Sequence, residues 1–541
     1  MTSNSGEQLA NSGEQLGRVV KTNGTRAICL VDHDRLTGFR SSGVEGTLSM
    51  GSIGGLFKIR VAGSLLVGSM TDLSQDVMDR STILAEIEYI GEGDAGPDNC
   101  LAGFRRGVDV FPQPGDAVYF AETADYERIF APPDAPTITV GTVYPTDTVR
   151  APLLVDQLLG RHFAIVGASG TGKSTSVALL LQRIIDFAPH GHVVILDPHG
   201  EYARAFGDAA KVWDVSNLEL PYWAMNLEEH CDSFVHDSGS GRIVDSNILA
   251  ASLQKARSRN VRMDAAAKIT PDSPVSYQVA DLIAALEEQA GRLEKIADAH
   301  RYTQLRLTIE QYFNDERFRF IFNADFASHS LERFLGEIMR VPGHGKPISI
   351  IDLAGVPTEI VNVVVATISR LVLDFAIRST HLRSVPVLLV CEEAHRYLPR
   401  EHDDATASVE RQLERVAREG RKYGVCLGLV SQRPSELSET ALSQCGTIMS
   451  LRLNNLDDQD RLKASLSEGA RAYVDVIAAL KNRECVISGE GVPVPMRVVI
   501  DTLEAERRPA SDDPQFSKAW SETGGEEDLL AAVVRSWRGE V

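Results

Sequence analysis

Residues Gly167-Ala168-Ser169-Gly170-Thr171-Gly172-Lys173-Ser174 complete a G-x-x-x-x-G-K-S pattern directly behind an apolar run, Phe163-Ala164-Ile165-Val166. The run reads as a strand, and Thr175 to Phe187 reads as a helix. In that setting the glycines let the backbone curl so that successive N–H groups point at one anion, the β-phosphate of a nucleotide. The Lys173 ammonium reaches the β- and γ-oxygens, and the Ser174 hydroxyl supplies a ligand for Mg²⁺. The helix that follows aims the positive end of its dipole at the same charge. The phosphate cradle is therefore assigned to Gly167, Ser169, Gly170, Thr171, Gly172, Lys173, Ser174 and Thr175.

A second apolar run, Val387-Leu388-Leu389-Val390-Cys391, is continuous in the manner of a strand buried on both faces and ends on Glu392-Glu393-Ala394-His395. Two carboxylates then stand where the phosphates would be. Adjacent acids at such a strand end suit hydrolysis better than binding alone: one holds Mg²⁺ through water, the other orients and deprotonates the attacking water. Glu392 is assigned to the metal and Glu393 to the base, with ATP and Mg²⁺ as the implied cofactors. An Asp is the usual metal-side residue, so Glu392 departs from the general pattern.

The rest of the core predicts alternating strands and helices. Val193 to Asp197, Ile348 to Leu353, Val425 to Val430, Thr447 to Leu451, Cys485 to Ser488 and Arg497 to Ile500 join the two runs above in a doubly wound, mostly parallel α/β sheet of the RecA-like P-loop type. Between Val193–Asp197 and Ile348–Leu353, Ser246 to Asn260, Val275 to Ala299 and Tyr302 to Asn314 carry helical periodicity and read as an inserted bundle. Ahead of the core, short β-rich runs separated by glycine (Ala27 to Leu30, Leu56 to Val61, Ser64 to Val67, Ile83 to Tyr89) suggest a small β-barrel. A turn at Pro112-Gln113-Pro114-Gly115-Asp116 precedes one more strand, and Pro132, Pro133 and Pro136 mark a linker. The expected divisions are a disordered tail over 1–16, a barrel over 17–130, an ATPase core over 131–225 and 340–505, a helical insertion over 226–339 and a C-terminal tail over 506–541. The tail opens with a duplicated polar heptad, Asn4 to Ala10 and Asn11 to Gly17, to which no function attaches.

With 541 residues, 43% of them hydrophobic and 24% charged, the chain is ordinary globular material for two or three domains. It shows no N-terminal signal region and no apolar run long enough to span a bilayer, so a soluble, cytoplasmic protein without a membrane role is expected. Seven cysteines (Cys29, Cys100, Cys231, Cys391, Cys426, Cys445, Cys485) lack any C-x-x-C spacing and read as reduced core residues. A net charge of −20 argues against a protein coated in nucleic acid, but allows DNA held inside a ring where a few loops touch phosphate.

These pieces together resemble the HerA family of the HerA/FtsK superfamily of hexameric DNA-pumping ATPases, over nearly the whole chain. The resemblance is carried by Arg161 to Gly167 leading into the P-loop, Asp197-Pro198-His199-Gly200-Glu201-Tyr202 at the second strand end, and Glu392-Glu393-Ala394-His395. Arg418-Glu419-Gly420-Arg421-Lys422-Tyr423-Gly424 ahead of a strand ending in Ser431-Gln432-Arg433-Pro434 completes it. Glu-Glu is common at the acidic pair in this family, which accounts for Glu392. The resemblance implies an N-terminal barrel, a helical bundle, a homohexamer, double-stranded DNA in a central pore, and a partner that is a NurA-like nuclease or a phage-defence effector. It also suggests Gln432 as the side-chain amide that holds the attacking water or senses the γ-phosphate, and Arg421 as an arginine finger reaching a neighbouring subunit's ATP, with Arg418 as the substitute. His199 and His395, without further Cys or His spacing, read as supporting loop residues rather than metal ligands. Arg396 and Arg400 are weak candidates for phosphate contact by DNA.

Three classes of function fit these motifs: a DNA translocase, an ATP-dependent ring scaffold that assembles an effector, and a non-translocating P-loop switch or kinase. The helical insertion, the paired glutamates and the candidate trans arginine disfavour the third. No nuclease constellation presents itself outside the ATP site, so any cutting is expected from the partner.

Overall fold

The structure, a computed structural model, describes residues 15–33, 35–36, 53–75, 82–259, 268–291, 296–382, 385–403, 406–466, 470, 473–510, 516–521 and 527–538. The duplicated heptad lies outside the described residues except for 15–17.

The N-terminal strands are β1 (Gly17–Thr22), β2 (Arg26–Asp32), β3 (Leu56–Val61), β4 (Ser64–Gln75), β5 (Thr82–Asp94), the short β6 (Arg105–Arg106) and β7 (Ala117–Phe120). They run in the order β2-β1-β7-β3-β4-β5-β6, and an antiparallel β2–β5 pairing closes the first six into a barrel. Alternation decides what fills it: in β2, Ala27, Cys29 and Val31 point inward while their neighbours face out. Leu16 is buried and donates its N–H to Val118 O, so the barrel begins one residue before β1. Helix α1 (Thr123–Ile129) is pinned to the barrel by a fully buried ion pair, Lys58 Nζ to Asp125 Oδ2 at 2.5 Å, and Lys58 also donates to Asn99 O at 2.8 Å.

The second sheet begins with β8 (Thr137–Val143) and β9 (Arg150–Leu154) and continues with β10 (Phe163–Val166), helix α2 (Lys173–Phe187), β11 (Val193–Asp197) and β12 (Ala210–Trp213). A helical stretch follows, with α3 (Leu227–Phe234), α4 (Gly239–Arg259), α5 (Val279–Ala290) and α6 (Ile296–Asn314). The chain then returns through β13 (Ile348–Asp352), α7 (Val361–Ser379), β14 (Val387–Cys391), α8 (Ala407–Tyr423), β15 (Val425–Ser431), β16 (Thr447–Ser450), β17 (Glu484–Gly489) and β18 (Met496–Ile500). The order is β12-β13-β11-β14-β15-β10-β16-β17-β18-β8-β9. From β12 to β16 every pairing is parallel, and every residue of β10, β11, β14, β15 and β16 is buried, as a sheet covered on both faces requires.

Beyond β16 the sheet turns antiparallel. The short connection between β17 and β18 leaves no room for a crossover helix, which fixes them as a hairpin, and β8 and β9 extend it. Sequence reading found β17 and β18 but not β8, β9 or β12. Pro136 and Gly141 flank and interrupt β8, and β12 is four residues long with a lysine among them.

The helical segment is tied to the sheet by buried charge. Arg370 on α7 donates from Nε to Glu229 Oε1 at 2.6 Å and from Nη2 to Glu229 Oε2 at 2.8 Å and to Ala224 O at 2.8 Å. His230, one residue on, is completely enclosed: its Nδ1 meets Asn226 O at 2.6 Å and Nε2 meets the Tyr277 hydroxyl at 2.9 Å. Burial, with the Arg257 charge adding to it, pushes this imidazole down to about 3. Its folded pKa thus lies below its unfolded one, so its contribution to stability is full above about pH 6.5 and is lost as pH falls towards 3. The expected acid sensitivity approaches one proton, about 1.4 kcal/mol per pH unit over that window. Melting midpoints measured from pH 7 to pH 4 should fall less steeply in His230→Gln than in the wild type; parallel slopes would remove His230 as the acid-sensitive group.

All seven cysteines are free; Cys29, Cys231, Cys391, Cys426 and Cys485 are buried, while Cys100 and Cys445 are only partly so. Among the described residues no helix is long and apolar enough to cross a membrane.

Candidate nucleotide-binding site

Strand order builds this site. β10 lies between β15 and β16, and β14 lies between β11 and β15, so the loops leaving β10, β11, β14 and β15 converge at the carboxyl edge of the parallel half. That is where a doubly wound sheet binds its ligand.

The loop after β10 is shaped for an anion. Gly167 is required by packing, since a Cβ there would stand 2.8 Å from Leu451 Cβ. Gly170 (φ 75°) and Gly172 (φ 98°) occupy left-handed backbone that curls the loop back over itself. Thr171 closes the curl, donating its hydroxyl to Ala168 O at 2.7 Å. Among the described residues none of the N–H groups of Ser169, Gly170, Gly172, Lys173, Ser174 or Thr175 finds a backbone acceptor. These are the first-turn donors of α2 and the loop before it, left open for phosphate oxygens.

Lys173, about nine-tenths buried, is held across the site by the acidic pair. Its Nζ donates to Glu393 Oε1 at 3.0 Å and stands 3.8 Å from Glu392 Oε1. Glu392 also accepts from the Tyr202 hydroxyl at 2.9 Å, an interaction wholly inside the protein. Burial pushes the Glu392 carboxyl up to about 8, with the negative fields of Glu393 and Asp197 adding and Lys173 and Tyr202 opposing. Asp197, at the end of β11, is buried too and raised above the ordinary carboxylate range by that burial. Backbone N–H groups of His199 (3.2 Å), Gly200 (3.0 Å) and Tyr202 (3.0 Å) donate to it. A divalent cation suits this set: it would favour the charged forms that burial alone disfavours.

Glu393 is unusual in backbone and side chain alike. It sits in left-handed backbone (φ 50°, ψ 44°), a strain of about 1–3 kcal/mol for a residue with a Cβ, and heads the short turn Ala394–Arg396. Its Oε2 is buried without a hydrogen bond, although His395 Nδ1 stands 3.3 Å away. His395 Nδ1 instead meets Ser431 Oγ at 3.1 Å, and burial pulls this imidazole below its ordinary range despite the nearby Glu393 charge. Gln432, just past β15, accepts a hydrogen bond from the Ser169 hydroxyl of the phosphate loop.

The fold therefore gathers Gly167 to Thr175, Glu392, Glu393 and Gln432 at one edge. It does not bring Arg421 or Arg418 there. Both lie at the far end of α8, ahead of β15, and the seven residues of Val425–Ser431 separate that end from the Gln432 edge by roughly 20 Å. Arg421 is exposed, its charge acts on His162 at the opening of β10, and among the described residues its side chain has no ion pair. Arg418 is exposed and paired with Glu414 at 2.7 Å. Arg396, Arg400 and His199 are exposed as well. Sequence reading passed over the contacts of Tyr202 and Ser431; their only signal was position, each at or just beyond a strand end that faces the phosphate loop.

Residues 138–372 match a family profile described as the central domain of helicase HerA. The chain is 27% identical over 480 residues to a DNA double-strand break repair helicase HerA of Pyrococcus furiosus, covering 78% of this chain and 81% of that protein. It is 25% identical over 523 residues to a probable helicase of Methanocaldococcus jannaschii, covering 95% and 91%. Among solved structures, VirB4 of Thermoanaerobacter pseudethanolicus is similar with a TM-score of 0.49 at 16% identity, covering 69% of this chain and 98% of that one.

Proposed function

Because this chain is a HerA/FtsK-type ATPase, we propose that it works as one protomer of a homohexameric ring that drives double-stranded DNA through a central pore. In this reading Gly167, Ser169, Gly170, Thr171, Gly172, Lys173, Ser174 and Thr175 cradle the phosphates of ATP. Ser174, and Glu392 through water, hold Mg²⁺. Glu393 takes the proton of the attacking water and Gln432 orients that water. Arg421 completes the site of the next subunit, with Arg418 as its substitute. Strand cleavage or effector action comes from a partner, a NurA-like nuclease or a defence effector.

The ring is supported by one observation above others. Among the described residues no arginine side chain is bonded to the phosphate loop, Glu393 or Gln432 of a single chain, Arg433 being paired with Glu436, while the exposed Arg421 stands about a strand's length away. A site arranged so is completed by a neighbour. DNA as substrate is supported by the relatives, which are named as DNA double-strand break repair helicases.

DNA serves as a track and not as a sequence to be read. A chain of net charge −20 brings only a few basic loops to the phosphates, so ATP turnover should rise with duplex of any sequence. Duplex binding should weaken with salt, its logarithmic slope being roughly −0.9 per phosphate neutralised, and the stimulation should fade with it. Hydrolysis measured with blunt and tailed duplexes over a salt series, with and without the partner, tests this. Turnover indifferent to DNA in both conditions would leave the ATP site serving ring assembly instead.

A further inference from the structure

In the empty site Lys173 is engaged by Glu393, and a bound nucleotide competes for the same ammonium. Its Nζ is bonded to Glu393 Oε1 at 3.0 Å, and any triphosphate in the loop draws the ammonium onto the β- and γ-oxygens. Glu393 is then a buried carboxylate with both oxygens unpartnered, a costly state, because its Oε2 has no hydrogen bond to begin with. A ring nitrogen stands within reach: His395 Nδ1, 3.3 Å from Oε2.

Resting on the reading of Glu393 as the base, we propose that His395 is a positioning residue that receives Glu393 when nucleotide releases it from Lys173. The backbone supports the exchange. Glu393 leads the turn Ala394–Arg396 in left-handed conformation, and Arg396 N–H returns to Glu393 O at 2.9 Å, which sets the imidazole back over the carboxylate. In the empty site the same nitrogen, Nδ1, meets Ser431 Oγ at 3.1 Å, and that hydroxyl accepts the Arg433 N–H at 3.1 Å. Ser431 and Gln432 are adjacent, and Gln432 is bonded to Ser169 of the phosphate loop. The end of β15 thus touches the nucleotide loop through one residue and steadies the receiver of the base through the next. In the loaded state Nδ1–H exchanges Ser431 Oγ for Glu393 Oε2, leaving Oε1 aimed at the water. The empty enzyme keeps its base neutralised against Lys173, and the loaded one holds it ready.

The test compares full-length His395→Ala, His395→Asn and wild type for kcat, KM and fluorescent-nucleotide affinity, each also on a Glu393→Gln background. The expected result is a kcat lowered on the order of 10- to 100-fold in His395→Ala, with KM and nucleotide affinity within about twofold. His395→Asn, whose amide N–H falls near Nδ1, should recover most of that loss, and on Glu393→Gln neither change should lower turnover further. A kcat within twofold of wild type in His395→Ala overturns the proposal. So does failure of asparagine to restore it, which marks a packing role, or an undiminished loss on the Glu393→Gln background. Normal hydrolysis by Glu393→Gln itself removes the base reading instead, and is told apart because it appears in the single variant.

Discussion

Glu393→Gln should lower ATP turnover by about 10²–10⁴ while the protein still binds nucleotide, the loss that removal of a positioned general base produces. The structure sharpens the expectation. In the empty site Glu393 occupies Lys173 through a 3.0 Å ion pair, and an amide holds an ammonium less firmly than a carboxylate, so nucleotide affinity should be unchanged or somewhat higher in the variant. Lys173→Ala behaves differently. It removes the group that meets the phosphates, so affinity and turnover fall together, and it leaves Glu392 and Glu393 buried without their cation. The empty Lys173→Ala protein should therefore melt lower than wild type by the equivalent of about 1–3 kcal/mol, most of the cost of an unpaired buried charge being relieved by protonation. Equilibrium nucleotide binding, steady-state phosphate release and thermal melting of the three proteins decide the matter. Wild-type turnover by Glu393→Gln would take the base role from it.

Arg421→Ala should cut turnover by on the order of 10³ or more, with nucleotide binding by the assembled protein nearly intact, because an arginine finger acts on charge that develops only in the transition state. The expectation that this happens between subunits follows from distance. Arg421 sits before β15 and Gln432 after it, with the whole strand between them, so no side-chain rotation brings that guanidinium to its own chain's phosphate loop. Mixing Arg421→Ala with Lys173→Ala subunits should restore part of the activity, since some interfaces then join an intact phosphate loop to an intact arginine. Mixtures that never exceed the sum of the two variants speak against action in trans, and if Arg418→Ala shows the loss in place of Arg421→Ala, the finger lies one turn earlier on α8. Specific activity that falls on dilution of the wild type is a companion measurement.

The loop after β10, the acids after β14 and Gln432 were legible in the sequence because each sits where local pattern is strongest. A strand buried on both faces is a continuous apolar run, so Phe163–Val166, Val193–Asp197, Val387–Cys391 and Val425–Ser431 announce themselves, and polar residues directly behind such runs stand out. The glycine spacing of the loop after β10 is likewise local, since the turn it forms is local. The strands at Thr137–Val143, Arg150–Leu154 and Ala210–Trp213 gave no such signal: they are short, interrupted by proline or glycine, or partly exposed, and what makes them strands is the neighbour they pair with.

By itself, then, the sequence determined the glycine-rich loop with its lysine and the paired acids, because each is written within a few residues of its own strand end. What only the tertiary structure decided is how those groups stand towards one another. That Lys173 is held by Glu393, that Tyr202 bonds Glu392, and that His395 meets both Glu393 and Ser431 all depend on strand order. The order β11-β14-β15-β10 brings together residues far apart along the chain, and hydrogen bonds of that reach leave no periodicity in the sequence from which they could be read.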